Sequence, residues 1–193
     1  MRKNIKRLAL IMAILITSLS LIACSAQPSD TMNSFLENFK KQDFKTAMTF
    51  VKTDVPSEDL ELENEEQKKI MEAVLTKLEY EILSTEVKGD KATAKVKITS
   101  CNLPKILTNT LAELLPTLFA SAFSQENIDD AKAEAMMMEH FLKAINDPNA
   151  PTTVSEMDVE LVKENNKWVI LVSEPLFNAL TGNFNKMSEV LNF

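Results

Sequence analysis

Arginine is all but missing from this 193-residue chain: the only two, Arg2 and Arg7, lie within its first seven residues. Beyond them the chain lacks the planar two-point pairing by which guanidinium groups grip phosphates and carboxylates. Lysine supplies the remaining positive charge and acids outnumber it, leaving a net charge of −7. That balance argues against nucleic acid as a partner, since its binding rests on a basic surface. Histidine occurs once, as His140, and cysteine twice, as Cys24 and Cys101. So few nitrogen and sulfur donors do not build a zinc-type site. The acid-rich stretch Glu58 to Glu66 lacks the glycine turn and ligand pattern of a calcium loop, so its charges read as solvated. Neither a metal nor another cofactor is expected. No hydrophobic run is long enough to cross a bilayer, for which about twenty residues are needed. The longest, Leu8 to Ala23, has sixteen.

That short run is nevertheless the most informative segment. Arg2, Lys3, Lys6 and Arg7 precede it, and it ends Leu21-Ile22-Ala23-Cys24 before the polar Ser25-Ala26-Gln27. A basic head, a short apolar middle and a small residue at the cleavage point mark a secretory signal peptide. Cysteine directly after that point resembles the lipobox of bacterial lipoproteins, which implies a diacylglycerol thioether on Cys24. Two acyl chains give stable anchoring at about 0.8 kcal/mol per buried methylene, whereas one holds only marginally. The expected organisation is a signal peptide over 1–23, a lipidated Cys24 with a short tether over 24–29, and one domain over 30–193. Loss of residues 1–23 removes four positive charges and no negative one, shifting the net charge from −7 to about −11. An acidic body is repelled by anionic headgroups, so the membrane is expected to be met through Cys24 alone, on the extracytoplasmic face. With Cys24 lipidated, Cys101 is the one free thiol, no intrachain disulfide forms, and stability falls to an apolar core. The roughly 170 remaining residues suffice: a domain of about 150 buries about 70% of its unfolded surface.

Along that domain, Ser29 or Asp30 is placed to cap a helix with Met32, Phe35, Leu36 and Phe39 on one face. Asp43 caps a second, with Phe44, Ala47, Met48 and Val51 inward. Thr53 to Glu63 reads as an exposed loop. Asn64 and Gln67 have capping-box spacing, opening a helix with Ile70, Met71, Val74, Leu75 and Leu78 inward. The period then changes to two. Tyr80–Val87 and Lys91–Thr99 flank Lys88-Gly89-Asp90, a hairpin signal. Ala92, Ala94, Val96 and Ile98 alternate with polar residues, so one face of the sheet is buried and the other wet.

Residues 103–146 have helical spacing of a different character. Leu107, Leu111, Leu114, Leu115 and Leu118 form one stripe, widened by Phe119 and Phe123, and Pro116 predicts a break or kink near Leu115. Asn127 is placed to cap a second helix towards Ile145, carrying Met136-Met137-Met138 and Phe141. Asp147 to Thr152 ends it. A second hairpin follows, with Met157, Val159 and Leu161 before the turn Glu164-Asn165-Asn166-Lys167 and Trp168–Val172 after it. Pro175 opens a closing helix with an interruption at Gly182. The fold class is therefore α+β: N-terminal helices on a curved antiparallel sheet, cone-like, with a helical insertion and a C-terminal helix.

Two or three leading helices followed by such a sheet resemble the nuclear-transport-factor-2-like cone fold. Within it the chain is similar to a lipoprotein branch found mainly in Gram-positive bacteria. The features that carry the likeness are the helices from Phe35 to Val51 around Gln42-Asp43, and the late strand Asn165-Asn166-Lys167-Trp168-Val169-Ile170. Low glycine and arginine with abundant lysine and asparagine point the same way. The four strands and the helical insertion depart from the family pattern, and the insertion bears on whether the pocket between sheet and helices is open. The family hosts carriers, dimerising modules and some acid–base enzymes, so its fold does not fix a function.

Two candidate chemistries follow. Methionine recurs on adaptable apolar binding surfaces, and three in a row point three ways around a helix. Leu111, Leu115, Leu118, Met136, Met137 and Phe141 are thus the expected binding surface of a non-catalytic module. Its partner would be an apolar small molecule or an envelope protein. The alternative is a cone-fold enzyme of isomerase or hydrolase type with His140, the side chain that titrates nearest neutrality, as base. A homodimer through the open sheet face is the third reading. Cys101 has no paired histidine and only Lys105 near it in sequence, so it reads as an inert buried thiol.

Overall fold

The alternation of Ala92, Ala94, Val96 and Ile98 with polar residues sets the architecture, because those four side chains are all buried on one face of a central strand. The computed structural model describes residues 27–52, 65–122 and 129–191. Among these, seven α-helices pack on a four-stranded, curved, antiparallel sheet of order β1-β2-β3-β4. The helices are α1 (Pro28–Lys40), α2 (Phe44–Met48), α3 (Glu65–Thr76), α4 (Leu103–Ala122), α5 (Asp130–Asn146), α6 (Glu174–Leu180) and α7 (Met187–Leu191). The strands are β1 (Glu79–Lys88), β2 (Lys91–Cys101), β3 (Thr152–Glu164) and β4 (Lys167–Ile170). The protein is α+β, as its periodicity predicts.

Both hairpins turn where turn chemistry demands. Gly89 takes φ +66°, and Asn165 and Asn166 take +48° and +64°. Positive φ at both Asn165 and Asn166 is the type I′ pattern, and positive φ at Gly89 alone is the type II′ pattern; the twist of each matches that of the flanking strands. A register shift between Ile82 and Ser84 makes Leu83 a bulge in edge strand β1, which discourages edge-to-edge pairing. At the other edge, Val51 bridges Ile170 in parallel, with the Lys52 N–H donating to the Ile170 carbonyl at 2.9 Å.

Two cores result. The first lies between the inner sheet face and α1, α2, α3 and α6, where Met32, Leu36, Ile98, Leu161, Ile170 and Leu176 are completely buried. Each such side chain contributes about 1.5–3 kcal/mol relative to exposure. The second joins α3 to the insertion and is built from Val74, Leu103, Ile106, Phe141 and Ile145, with Met187 of α7 packed against it. The insertion is therefore docked on the body at its base. On the outer sheet face, Glu81, Lys97 and Glu156 stand side by side across three strands, as do Ser84, Lys95 and Asp158. Cross-strand charge pairing of this kind suits a wet face.

Several local expectations are corrected. The α1 N-cap is Gln27, not Ser29 or Asp30: Pro28 takes the first turn and the Asp30 carboxylate accepts from the Gln27 N–H at 3.2 Å. Asp129 rather than Asn127 caps α5, accepting from the Lys132 N–H at 2.8 Å. No break occurs near Leu115; α4 runs unbroken with Pro116 inside it. Pro116 and Ala112, whose carbonyl loses its partner, are both exposed, on the side of the helix where water can satisfy an orphaned oxygen. Strand β3 begins at Thr152, which had read as the end of a loop, and β4 stops at Ile170. Asp43 caps α2 as its spacing predicts, accepting from Thr46 at 3.0 Å. The closing helix does stop before Gly182, whose φ is +67°. The lipobox with Cys24, the acidic loop with Asn64, and Phe123 with Asn127 lie outside the described residues.

Candidate functional site

The insertion is a helical hairpin whose two halves differ. At its base, Ile106 and Leu107 of α4 meet Phe141 and Ile145 of α5 in the second core. Beyond Leu114 the packing thins: no residue of α4 past that point and none of α5 before Phe141 is fully buried among the described side chains. Phe119 is 63% exposed and Leu115 46%. They stand one turn apart, on the same side of α4 by helical spacing. Leu111 and Leu118 beside them are half-buried, as are Met136, Met137 and Met138. None of the three methionines joins either core cluster.

Of the six residues expected to form a binding surface, five thus remain at least partly open. Phe141 is corrected: it is 4% exposed and belongs to the second core, because it falls one turn from Ile145 on the stripe that meets α3 and α4. Phe119 is corrected in the opposite sense. Its periodicity had placed it in the buried stripe, but it lies about 140° around the helix from Leu114 at 100° per residue. No signal short of counting turns from Leu114 separates it from the stripe.

His140 is half-buried on the other flank of the hairpin. It lines an open cleft of about 410 Å³ with Asn109, Thr110 and Glu113 of α4 and Lys143 and Asp147 at the end of α5. Sequence reasoning missed this grouping. Its only trace is the i, i+4 pairing of Asn109 with Glu113, set against His140 and Lys143 on a second helix. The Thr110 hydroxyl donates to the Ile106 carbonyl at 2.9 Å. The Asp147 carboxylate accepts from the Asn149 N–H at 2.7 Å, so it is already engaged in holding the turn.

Cys101 is completely buried where β2 gives way to α4. Burial pushes its thiol pKa up from the usual 9.0, against a weaker opposing effect of Lys77. A thiol so placed is a poor nucleophile. The concave sheet face, where a cone-fold pocket would lie, is covered by the first core. Among the described residues no three histidine, cysteine or acidic side chains converge to hold a metal ion. None of the described helices is long and apolar enough to cross a membrane.

No family model, curated protein or solved structure matches this chain.

Proposed function

We propose that this protein is a non-catalytic binding module of the cone-fold lipoprotein kind, anchored to the outer face of the cell membrane through diacylglycerol on Cys24. Its docking surface is the distal half of the α4–α5 hairpin. The single observation that carries this reading is the pair Leu115 and Phe119, two large apolar side chains standing open on one side of α4. Large exposed apolar groups in contiguity mark interaction sites on soluble domains. The neighbouring methionines suit a surface that adapts to its occupant. An anchored module with a filled cone uses an appended surface rather than the cone itself.

The test is the fluorescence of an environment-sensitive apolar dye on the folded protein. Leu115→Ser with Phe119→Ser removes most of the signal while circular dichroism and the melting temperature stay unchanged. A signal that survives in the folded double variant places the apolar surface elsewhere and removes the reading. A second reading rests on the His140 cleft, where a titratable imidazole adjoins Glu113 and Thr110. It makes His140 the base of an isomerase- or hydrolase-type reaction, and its requirement is turnover that disappears in His140→Ala.

A further inference from the structure

The His140 cleft is built from two matching stripes. Ile106, Asn109, Thr110 and Glu113 stand at i, i+3, i+4 and i+7 on α4. His140, Lys143, Ala144 and Asp147 repeat that spacing along α5 to its C-cap. Each stripe spans about 10 Å at 1.5 Å per residue. At 100° per residue Leu115 lies about 180° around α4 from Ile106, so the cleft and the exposed apolar pair face opposite ways. The Asn102 N–H donates to the Pro151 carbonyl at 2.8 Å, which ties the start of α4 to the chain just beyond α5 and sets the stripes antiparallel. Glu113 and His140 therefore share one end of the cleft, Asn109 and Lys143 its middle, and Ile106 and Asp147 its base. Charges of both signs line it without neutralising each other: Glu113, His140, Lys143 and Asp147 form no ion pair among the described residues. The Asp147 carboxylate is engaged by the Asn149 N–H. That leaves the Glu113 carboxylate and the Lys143 ammonium facing one cavity, about one helical turn apart along its length.

We propose that this cleft binds a small zwitterion of the amino-acid or short-peptide kind, its ammonium on Glu113 and His140 and its carboxylate on Lys143 and the Asn109 amide. The inference goes beyond the docking surface named above, lies on the other flank of the hairpin, and asks no turnover of His140. A carboxylate accepts charge-assisted hydrogen bonds from an ammonium, and a lysine gives them to a carboxylate; a neutral imidazole adds one acceptor. The cavity, about 410 Å³, falls within the range of small-molecule sites. Ile106, Ala144 and Pro151 supply an apolar lining suited to short aliphatic groups. Other ligand classes fit less well. A simple anion would meet two acids and the negative end of α5 around a single lysine. A simple cation would meet Lys143 in the middle of the cleft. A metal ion lacks three converging donors among the described residues.

The experiment titrates the full chain, in an uncharged maltoside detergent, with dialanine, N-acetyl-dialanine and dialanine amide, and follows amide resonances by NMR. Dialanine should shift residues 109–113 and 140–149 saturably, and loss of either terminal charge should weaken binding tenfold or more. The charges should also separate by variant. Glu113→Gln should erase the preference for dialanine over its N-acetyl form and keep the preference over the amide. Lys143→Gln should do the reverse, a reciprocity that a general loss of structure does not produce. Glu81→Gln with Glu156→Gln, on the sheet, should change nothing, and Leu115→Ser with Phe119→Ser should bind dialanine as the parent does. Equal shifts from all three compounds overturn the inference, as does the absence of saturable shifts from dialanine by about 50 mM. Sensitivity to one terminus alone assigns the cleft to a simple anion or a simple cation and also overturns it. Dialanine binding lost in the folded Leu115→Ser, Phe119→Ser variant takes the site away from this cleft. None of these results touches the docking surface, whose dye and crosslinking tests stand apart.

Discussion

Gly182 is the position at which one added carbon should do the most damage. Its φ of +67° is a conformation that side chains rarely adopt, and a Cβ there would lie 2.8 Å from the Cys101 carbonyl oxygen and 3.1 Å from Leu103 Cγ. The Leu103 N–H also donates to the Gly182 carbonyl at 3.0 Å, so β2, the start of α4 and the C-terminal segment meet at this point. The left-handed backbone alone disfavours alanine by about 1–2 kcal/mol. The approach to Cys101 is to backbone, which cannot swing aside, and overpacking of that kind costs about 1–3 kcal/mol more. Gly182→Ala should therefore lose about 2–5 kcal/mol in urea unfolding. In a domain of this size about 1 kcal/mol corresponds to about 2–4 °C in melting temperature. Because the strained contact is with Cys101, its buried thiol should also label faster with a disulfide reagent, measured in a Cys24→Ser background. A variant within about 0.5 kcal/mol of the parent, with unchanged labelling, would refute the close packing on which this argument stands.

Four further outcomes can be measured. Phe141→Ala should lose about 3–5 kcal/mol by opening a core cavity, whereas Phe119→Ala should stay within about 0.5 kcal/mol; urea unfolding separates them. Pro116→Ala should stabilise α4 by about 1–3 kcal/mol, since it restores an amide donor to an unbroken helix, and hydrogen exchange along residues 112–120 should slow. Cys101 is held neutral by burial, so its contribution to stability is full below the ordinary thiol value of 9.0 and is lost as pH rises through and beyond it. Stability curves taken from pH 7 to 10.5 should fall more steeply for the parent than for Cys101→Ala. Cys24→Ser should abolish incorporation of labelled palmitate and release the chain from the membrane fraction.

What could be read from residues alone was whatever repeats with a clear period or obeys local turn chemistry. Ala92 to Ile98 alternate cleanly, so β2 and its hairpin were legible. Asp43 and the Asn165-Asn166 turn were legible because a cap and a type I′ turn each depend on one or two side chains. The N-caps at Gln27 and Asp129 were missed because several polar residues stood close together and only tertiary position chose among them. Pro116 misled because its cost depends on whether the freed carbonyl meets water, which periodicity does not tell. The same gap blurred which apolar residues of the insertion stand open. Leu118, Phe119 and Phe141 look alike as apolar residues on helices; the angle from Leu114 and the thinner packing beyond it together leave Phe119 exposed while Phe141 is buried. The His140 cleft needs two helices brought together, so no single stretch of sequence announces it.

The most direct test of the proposed docking surface is a photoreactive phenylalanine derivative placed at position 119 of the full chain in intact cells. A second placed at Lys97, on the charged outer face of the sheet, serves as reference. The account predicts a discrete crosslinked species from position 119 that is absent from position 97. Crosslinking at 97 with none at 119 would contradict it, and would move the working surface from the hairpin to the sheet.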